Sequence, residues 1–286
     1  MKTKDKADFS QELPVIAADR YTRIVDIPSA KISLDKPTMI VGISDSGMVG
    51  SICINHIIGQ LKMHQIASIE SQHLVPAAIF VNRKFRHPFR IYADAGGKIC
   101  AIICELPILL QGVLSIANLM ADWAVNRRVD NIIIVGSILP GDFNPSSLQR
   151  KAILLQNISE GTNSSFPDRQ VVEDENPSTA QGAVLTPESA FIPGLAGSLL
   201  SACALRGISC TAILAPSFNS PDPEGAAIVL EALPTIAPEV VIDTSELRVE
   251  AEAIKKRLEE YMKMHLQHAE NYEKAMGRRD AEGIYK

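Results

Sequence analysis

Basic charge is what this chain lacks first. Its 286 residues carry 28 Lys and Arg against 33 Asp and Glu, a net charge of −5, so no electrostatic footprint for nucleic acid is expected. Metal-binding spacing is missing too. Cys53, Cys100, Cys104, Cys203 and Cys210 lie in apolar runs and do not cluster as in a secreted scaffold, which predicts buried thiols in a reducing cytoplasm. His56, His64, His73 and His87 share no ligand spacing, and no metal is expected. Residues 1–13 are polar and charged and show no signal peptide. The best membrane candidate, 189–205, is shorter than the ~20 residues a span needs and contains Pro193, Gly194 and Gly197. No nucleophile elbow and no Ser–His–Asp set can be assigned, so no catalytic residue and no cofactor is predicted.

What is abundant is apolar side chain, 46% of residues in a chain with charged ends. The surplus must be buried somewhere, and a subunit interface is the expected place, so a homo-oligomer is predicted. Short apolar runs alternate with helical stretches. Residues 38–43 read as a buried strand running into the turn 44–50 and a helix to about Leu61. Further strands are expected at 65–70, 77–81 and 131–136, and at 209–215. Residues 91–93 and 99–104 flank the turn Asp94-Ala95-Gly96-Gly97-Lys98 and read as a hairpin. Helices are expected over 111–125, late in 190–206, and after Asp222-Pro223-Glu224, which supplies an N-cap, a first-turn proline and a first-turn acid. This alternation predicts an α/β fold, a mostly parallel sheet with helices on both faces. The stretch 140–186, rich in Ser, Asn, Pro and acids around a strand-like 152–156, reads as an excursion from the core.

Three regions follow: a polar N-terminal arm, 1–37, with a strand-like piece at 22–27; an α/β domain, 38–244; and a charged C-terminal helix with a tail, 245–286. Asp243 with Glu246 gives a capping-box-like start. Leu247, Ala251, Ile254, Leu258, Tyr261, His265, His268 and Tyr272 then recur at four- and three-residue spacings, a heptad-like seam. If this seam is an interface, protonation of His265 and His268 near pH ~6 should weaken it, and sedimentation across that range checks this. Gly277 ends the helix, and a polar tether leads to Ile284-Tyr285-Lys286. An aliphatic anchor, a phenol and a terminal carboxylate make a compact plug: the carboxylate can pair with an ammonium while the ring fills a crevice.

Several pieces together resemble the archaeal proteasome assembly chaperone family, of the second-chaperone type. They are Ile40-Val41-Gly42 leading to Gly47-Met48-Val49-Gly50; the hairpin ending in Cys104-Glu105; and Ile133-Ile134-Val135-Gly136. To these are added Phe191-Ile192-Pro193-Gly194-Leu195-Ala196-Gly197 with Arg206-Gly207-Ile208, and Ser220-Pro221-Asp222-Pro223-Glu224-Gly225-Ala226. The likeness covers about 38–265, and the order of the pieces carries it. It departs at 156–181, which lacks a Gly-rich loop, and at Gly225, near a helix start. The resemblance implies a three-layer α/β/α sandwich like that of phosphorylases and peptidase-like hydrolases, without their catalytic residues. It also implies the 20S proteasome outer ring as partner. Members with a hydrophobic-Tyr-any tail resemble ATP-independent activators, which makes Ile284, Tyr285 and Lys286 the expected partner-binding residues, with neither nucleic acid nor membrane as partner.

A rival reading is a small-molecule hydrolase or transferase. Asp45, Ser46, Gly47, Gly50 and Asp142, together with Ser44 and Glu105, fall near predicted strand ends, where open α/β sheets place their sites. Gly47 and Gly50 form half of a dinucleotide loop, but Asp45 stands where a glycine is needed and would repel a pyrophosphate; close helix–strand packing explains the glycines better. Arg83, Lys84, Arg86, His87 and Arg90, interleaved with Phe85 and Phe89, form the one basic cluster. It reads as a solvated hairpin edge before a protein-contact or RNA-contact surface.

Overall fold

Runs of β-branched and aliphatic residues without polar alternation become the centre of the sheet, because strands covered on both faces need no solvent side. The computed structural model describes residues 15–18, 21–27, 30, 32–43, 45, 47–81, 83–139, 151–157, 184–187, 189–217 and 221–253. It forms two units, 1–242 and 243–286. In the first, β3 (Thr38–Ile43), β8 (Ile99–Cys104), β9 (Asn131–Ile138) and β12 (Ser209–Pro216) lie side by side, parallel, in the order β8-β3-β9-β12. All six residues of β8 are buried.

Antiparallel strands extend this centre. On one side come β7 (Phe89–Ala93), β4 (His64–Ser71), β2 (Thr22–Asp26) and β1 (Val15–Ala18). On the other, β10 (Ala152–Gln156) runs antiparallel to β12, and β11 (Val184–Leu185) follows it in parallel. The result is a mixed ten-stranded sheet in an α/β fold.

Three elements add to or differ from the sequence-based expectation. Residues 22–26, expected as a strand-like piece of the N-terminal arm, form a strand that pairs with β4 from Thr22↔Ser71 to Asp26↔Ala67 and buries Ile24 completely. Residues 152–156, expected in an excursion, bury Ile153 against the core and pair with β12. The strand expected at 77–81 is β5 (Ile79–Val81), and among the described residues it pairs only with β6 (Lys84–Arg86), outside the main sheet. For the first two, pairing between residues distant in sequence, invisible in local pattern, decides the outcome.

The helices divide the strand residues by parity. Met39 and Val41 of β3 and Ile132 and Ile134 of β9 pack in one cluster with α2 (Val113–Asn126) and α3 (Gly194–Arg206). Trp123 of α2 is the largest fully buried side chain there. Ile40 and Ile133, of the opposite parity, are buried outside that cluster. α1 (Val49–Gln60) packs on β3, β8 and β9, and α4 (Pro223–Ala232) packs on β9, β12 and α1. α4 starts as its sequence predicts: Asp222 Oδ1 accepts from Gly225 N at 2.9 Å, Pro223 follows and Glu224 occupies the first turn.

All five cysteines are free and buried, as expected. Burial pushes the Cys104 thiol up to about 12, so that sulfur is a poor thiolate. No described helix is long and apolar enough to cross a membrane. In the second unit a helix covers 245–253, with Asp243 Oδ1 accepting from Ser245 N at 2.9 Å. The remainder of the heptad seam, including His265 and His268, and the terminal Ile284, Tyr285 and Lys286 lie outside the described residues.

Candidate functional site at the strand ends

Where β3 and β9 end, Asp45 joins two loops. Its Oδ1 accepts from Val49 N at 2.9 Å; its Oδ2 accepts from Gly50 N at 3.3 Å and from Ser137 N at 2.6 Å. The first two donors open α1 and the third lies on β9, so one carboxylate caps a helix and ties it to a neighbouring strand. Met48, between them, holds a left-handed conformation with φ 55°. Burial pushes the Asp45 carboxyl above its ordinary value of 3.8, against the lowering pull of those N–H groups.

The glycines here are packing positions. A Cβ on Gly50 would meet the carbonyl oxygens of Ile43 and Val135 at 2.7 Å, and one on Gly42 would strike the Gly50 carbonyl. A Cβ on Gly47 would collide with Ser217 Oγ. Ser217 Oγ donates to Asp222 Oδ2 at 2.7 Å and Asp222 N donates to Gly47 O at 2.9 Å, so the loops after β3 and β12 are laced together. Thus Asp45, Gly47 and Gly50 are brought into one neighbourhood. Ser44, Ser46 and Asp142 lie outside the described residues.

A cavity of about 280 Å³ opens beside Asp45, between the ends of β3 and β9 and the start of α3. Ile43, Ile138, Ile192, Leu195 and Leu214 line it, so apart from Asp45 and Ser137 the wall is apolar. The first turn of α3 faces it without a side-chain cap, since Pro193 occupies the N-cap position. Both Asp45 oxygens already accept backbone hydrogen bonds, which suits a structural staple better than proton transfer. Among the described residues no group of His, Cys, Asp and Glu could hold a metal ion.

Glu105, expected near a strand end, is engaged elsewhere. Its Oε2 lies 2.6 Å from Arg90 Nη2, and Arg90 is fully buried. Arg90 Nη1 donates to His87 O at 2.8 Å, and the guanidinium carbon lies 5.8 Å from the centre of the Tyr92 ring. Arg90 is therefore removed from the basic surface cluster in which its sequence neighbours place it. No local pattern announced this: Phe89, Ile91 and Ala93 pack in the core cluster, parity sends Arg90 to the other face, and the Glu105 carboxylate that meets it there lies on a different segment.

A family model described as the PAC2 family matches residues 39–262. The chain belongs to the PAC2 family. The PAC2 match contains the Asp45 staple, the glycine contacts and the cavity, and leaves 263–286 outside. An uncharacterised protein of Methanocaldococcus jannaschii is 24% identical over 241 residues, covering 84% of this chain and 91% of that protein. Among solved structures, Pyrococcus furiosus PbaA, described as an archaeal homolog of proteasome-assembly chaperone, matches with TM-score 0.67 and 21% identity, over 93% of this chain and 100% of that one. P. furiosus PbaB, described as an archaeal proteasome activator, matches with TM-score 0.67 and 19% identity, over 85% and 100%. A Thermoplasma acidophilum protein of unknown function matches with TM-score 0.61 and 25% identity, over 83% and 92%. At these identities the likeness to PbaA and PbaB is one of fold.

The staple has a measurable signature in this PAC2 protein. Asp45→Ala strands three backbone donors and should cost about 2 kcal/mol in urea unfolding. Asp45→Asn removes the titration. Because the folded value lies above the unfolded one, the folded chain binds more protons between them. The stability this group adds is therefore greatest below 3.8 and declines as pH rises through the folded value. The difference in unfolding free energy between wild type and Asp45→Asn should narrow as pH rises through that window. A difference that widens would contradict the burial account.

Proposed function

We propose that this chain is a cytoplasmic, proteasome-associated factor that binds the 20S core particle through Ile284-Tyr285-Lys286 and acts as an ATP-independent activator or an assembly factor. Membership of the PAC2 family carries the reading. The fold shared with PbaA and PbaB, described as a proteasome-assembly chaperone homolog and a proteasome activator, supports it. The tail supplies the chemistry: an aliphatic anchor, a ring and a carboxylate, suited to a crevice between outer-ring subunits with a Lys at its mouth. In this reading the body is a three-layer α/β/α sandwich that assembles into a homo-oligomer. The heptad segment continues as a long helix and presents the tail. One tripeptide binds weakly, and several on one assembly act together by raising effective concentration. A ligand that favours an open gate shifts the population toward it.

The test is hydrolysis of an unfolded protein by archaeal 20S particles, with the full chain or with a chain ending at Gly283. Stimulation, or faster assembly from separated subunits, is expected with the full chain only. Equal effects from both forms would refute the tail's part in the reading.

A further inference from the structure

Four large apolar side chains stand exposed on segments joined by the loops at 73–75 and 107–109. Phe80 and Phe85, 69% and 61% exposed, stand on the β5–β6 hairpin; Leu110 and Leu114, 84% and 68% exposed, lie one turn apart at the entry to α2. The loops between them are joined. Leu109 N donates to His73 O at 2.8 Å, Val75 N donates to Pro107 O at 3.4 Å, and Leu74 pairs with Ile108. A groove of about 1010 Å³ runs along this side, with Val75, Pro76, Phe85 and His87 in its wall. It is too large and too open to enclose a small molecule.

The charge of this side is mostly positive; Glu70, which lines the groove, is paired with Arg23. Residues 72–93 contain no acid. The two flanking carboxylates are occupied: Glu70 lies 2.6 Å from Arg23, and Glu105 lies 2.6 Å from Arg90. Arg83, Lys84 and Arg86 pair with no carboxylate among the described residues. They stand on a hairpin whose two strands, among the described residues, pair only with each other, which leaves a main-chain edge for a further strand. In a chain of net charge −5 this is a concentrated positive, apolar face.

We propose that this face docks an acidic, extended segment of another protein that carries leucine or aromatic side chains. The segment lies along the hairpin edge, its carboxylates meet Arg83, Lys84 and Arg86, and its apolar residues meet Phe80, Phe85 and the Leu110–Leu114 ridge. The same cations could attract RNA. However, the Phe80 and Phe85 rings already pack edge to face, with centres 5.8 Å apart, and two exposed leucines give a base or phosphate nothing to bind. The proposal does not rest on the tail.

The test uses the full chain and three labelled probes in fluorescence anisotropy: a dodecapeptide of alternating Leu and Glu, an oligoglutamate of equal length, and an oligouridylate. The Leu–Glu peptide should bind about tenfold more tightly than oligoglutamate, and its affinity should fall as salt rises. Arg83→Glu with Lys84→Glu and Arg86→Glu should weaken it by at least about tenfold, as should Phe80→Ser with Leu110→Ser. These side chains are largely exposed, and unchanged melting curves would show the variants folded. Tyr285→Ala should leave peptide binding intact, which separates this face from the tail. Absence of peptide binding, equal binding of oligoglutamate, tighter binding of oligouridylate, or indifference to either set of substitutions would overturn the proposal.

Discussion

Replacing Tyr285 by Ala, or ending the chain at Gly283, is expected to abolish binding to the 20S core while leaving self-association intact. The ring supplies most of the apolar area of a three-residue plug, and its loss also removes the phenol hydroxyl. If each tail loses about 1.4 kcal/mol, each docking step weakens about tenfold, and the loss multiplies over the tails engaged together. Tyr285→Phe keeps the ring and should retain most binding, losing about 1 kcal/mol if the hydroxyl has a partner. Co-elution with 20S particles and sedimentation of the free chain check both halves. Undiminished co-elution of the truncated chain would remove the tail from the account.

Glu105→Ala is expected to produce the largest loss of stability, about 3 kcal/mol, because it strands the fully buried Arg90 guanidinium without its counter-charge. For a chain of this size that corresponds to a fall of roughly 6–12 °C in Tm. Arg90 would keep only the His87 carbonyl and the Tyr92 ring, which do not replace a carboxylate 2.6 Å away. The pair also anchors the segment between the β5–β6 hairpin and β7, since Glu105 N donates to Pro88 O at 3.0 Å. Arg90→Met combined with Glu105→Leu should recover most of the loss, because it removes both charges and fills the space. Thermal melts of the two variants decide the matter: a Glu105→Ala chain as stable as wild type would show that the pair is solvated.

The centre of the fold was legible in the sequence because its strands are covered on both faces. Thr38–Ile43, Ile99–Cys104, Asn131–Ile138 and Ser209–Pro216 each read as an apolar run, and each is a strand of the parallel centre. The start of α4 was legible through Asp222, whose side chain does what an N-cap residue should. The antiparallel flanks were legible as strands but not in their pairing. Thr22–Asp26 reads as a strand-like piece, yet its partner in β4 is about 45 residues away. Ala152–Gln156 also reads as strand-like, but its polar surroundings suggest an excursion, and pairing with β12 draws it into the sheet.

At the strand ends, the sequence gave an incomplete idea of what the side chains do. The glycines were readable as packing devices, and the contacts around Gly42, Gly47 and Gly50 bear that out. Asp45 was read as a pocket acid; its place in the sequence does not reveal that its two oxygens collect three backbone donors from α1 and β9. That depends on Ser137, 92 residues away. Arg90 was hidden for a related reason. A cation among cations looks exposed until the ion pair with Glu105, fifteen residues on, shows it buried.

The most direct test of the central claim is an electron cryomicroscopy map of the full chain bound to archaeal 20S particles. Density for Ile284-Tyr285-Lys286 in crevices between outer-ring subunits, with the terminal carboxylate beside a lysine, is the predicted result. A complex held only through the α/β body, with its crevices empty, or no complex at concentrations that saturate the particle, would contradict it.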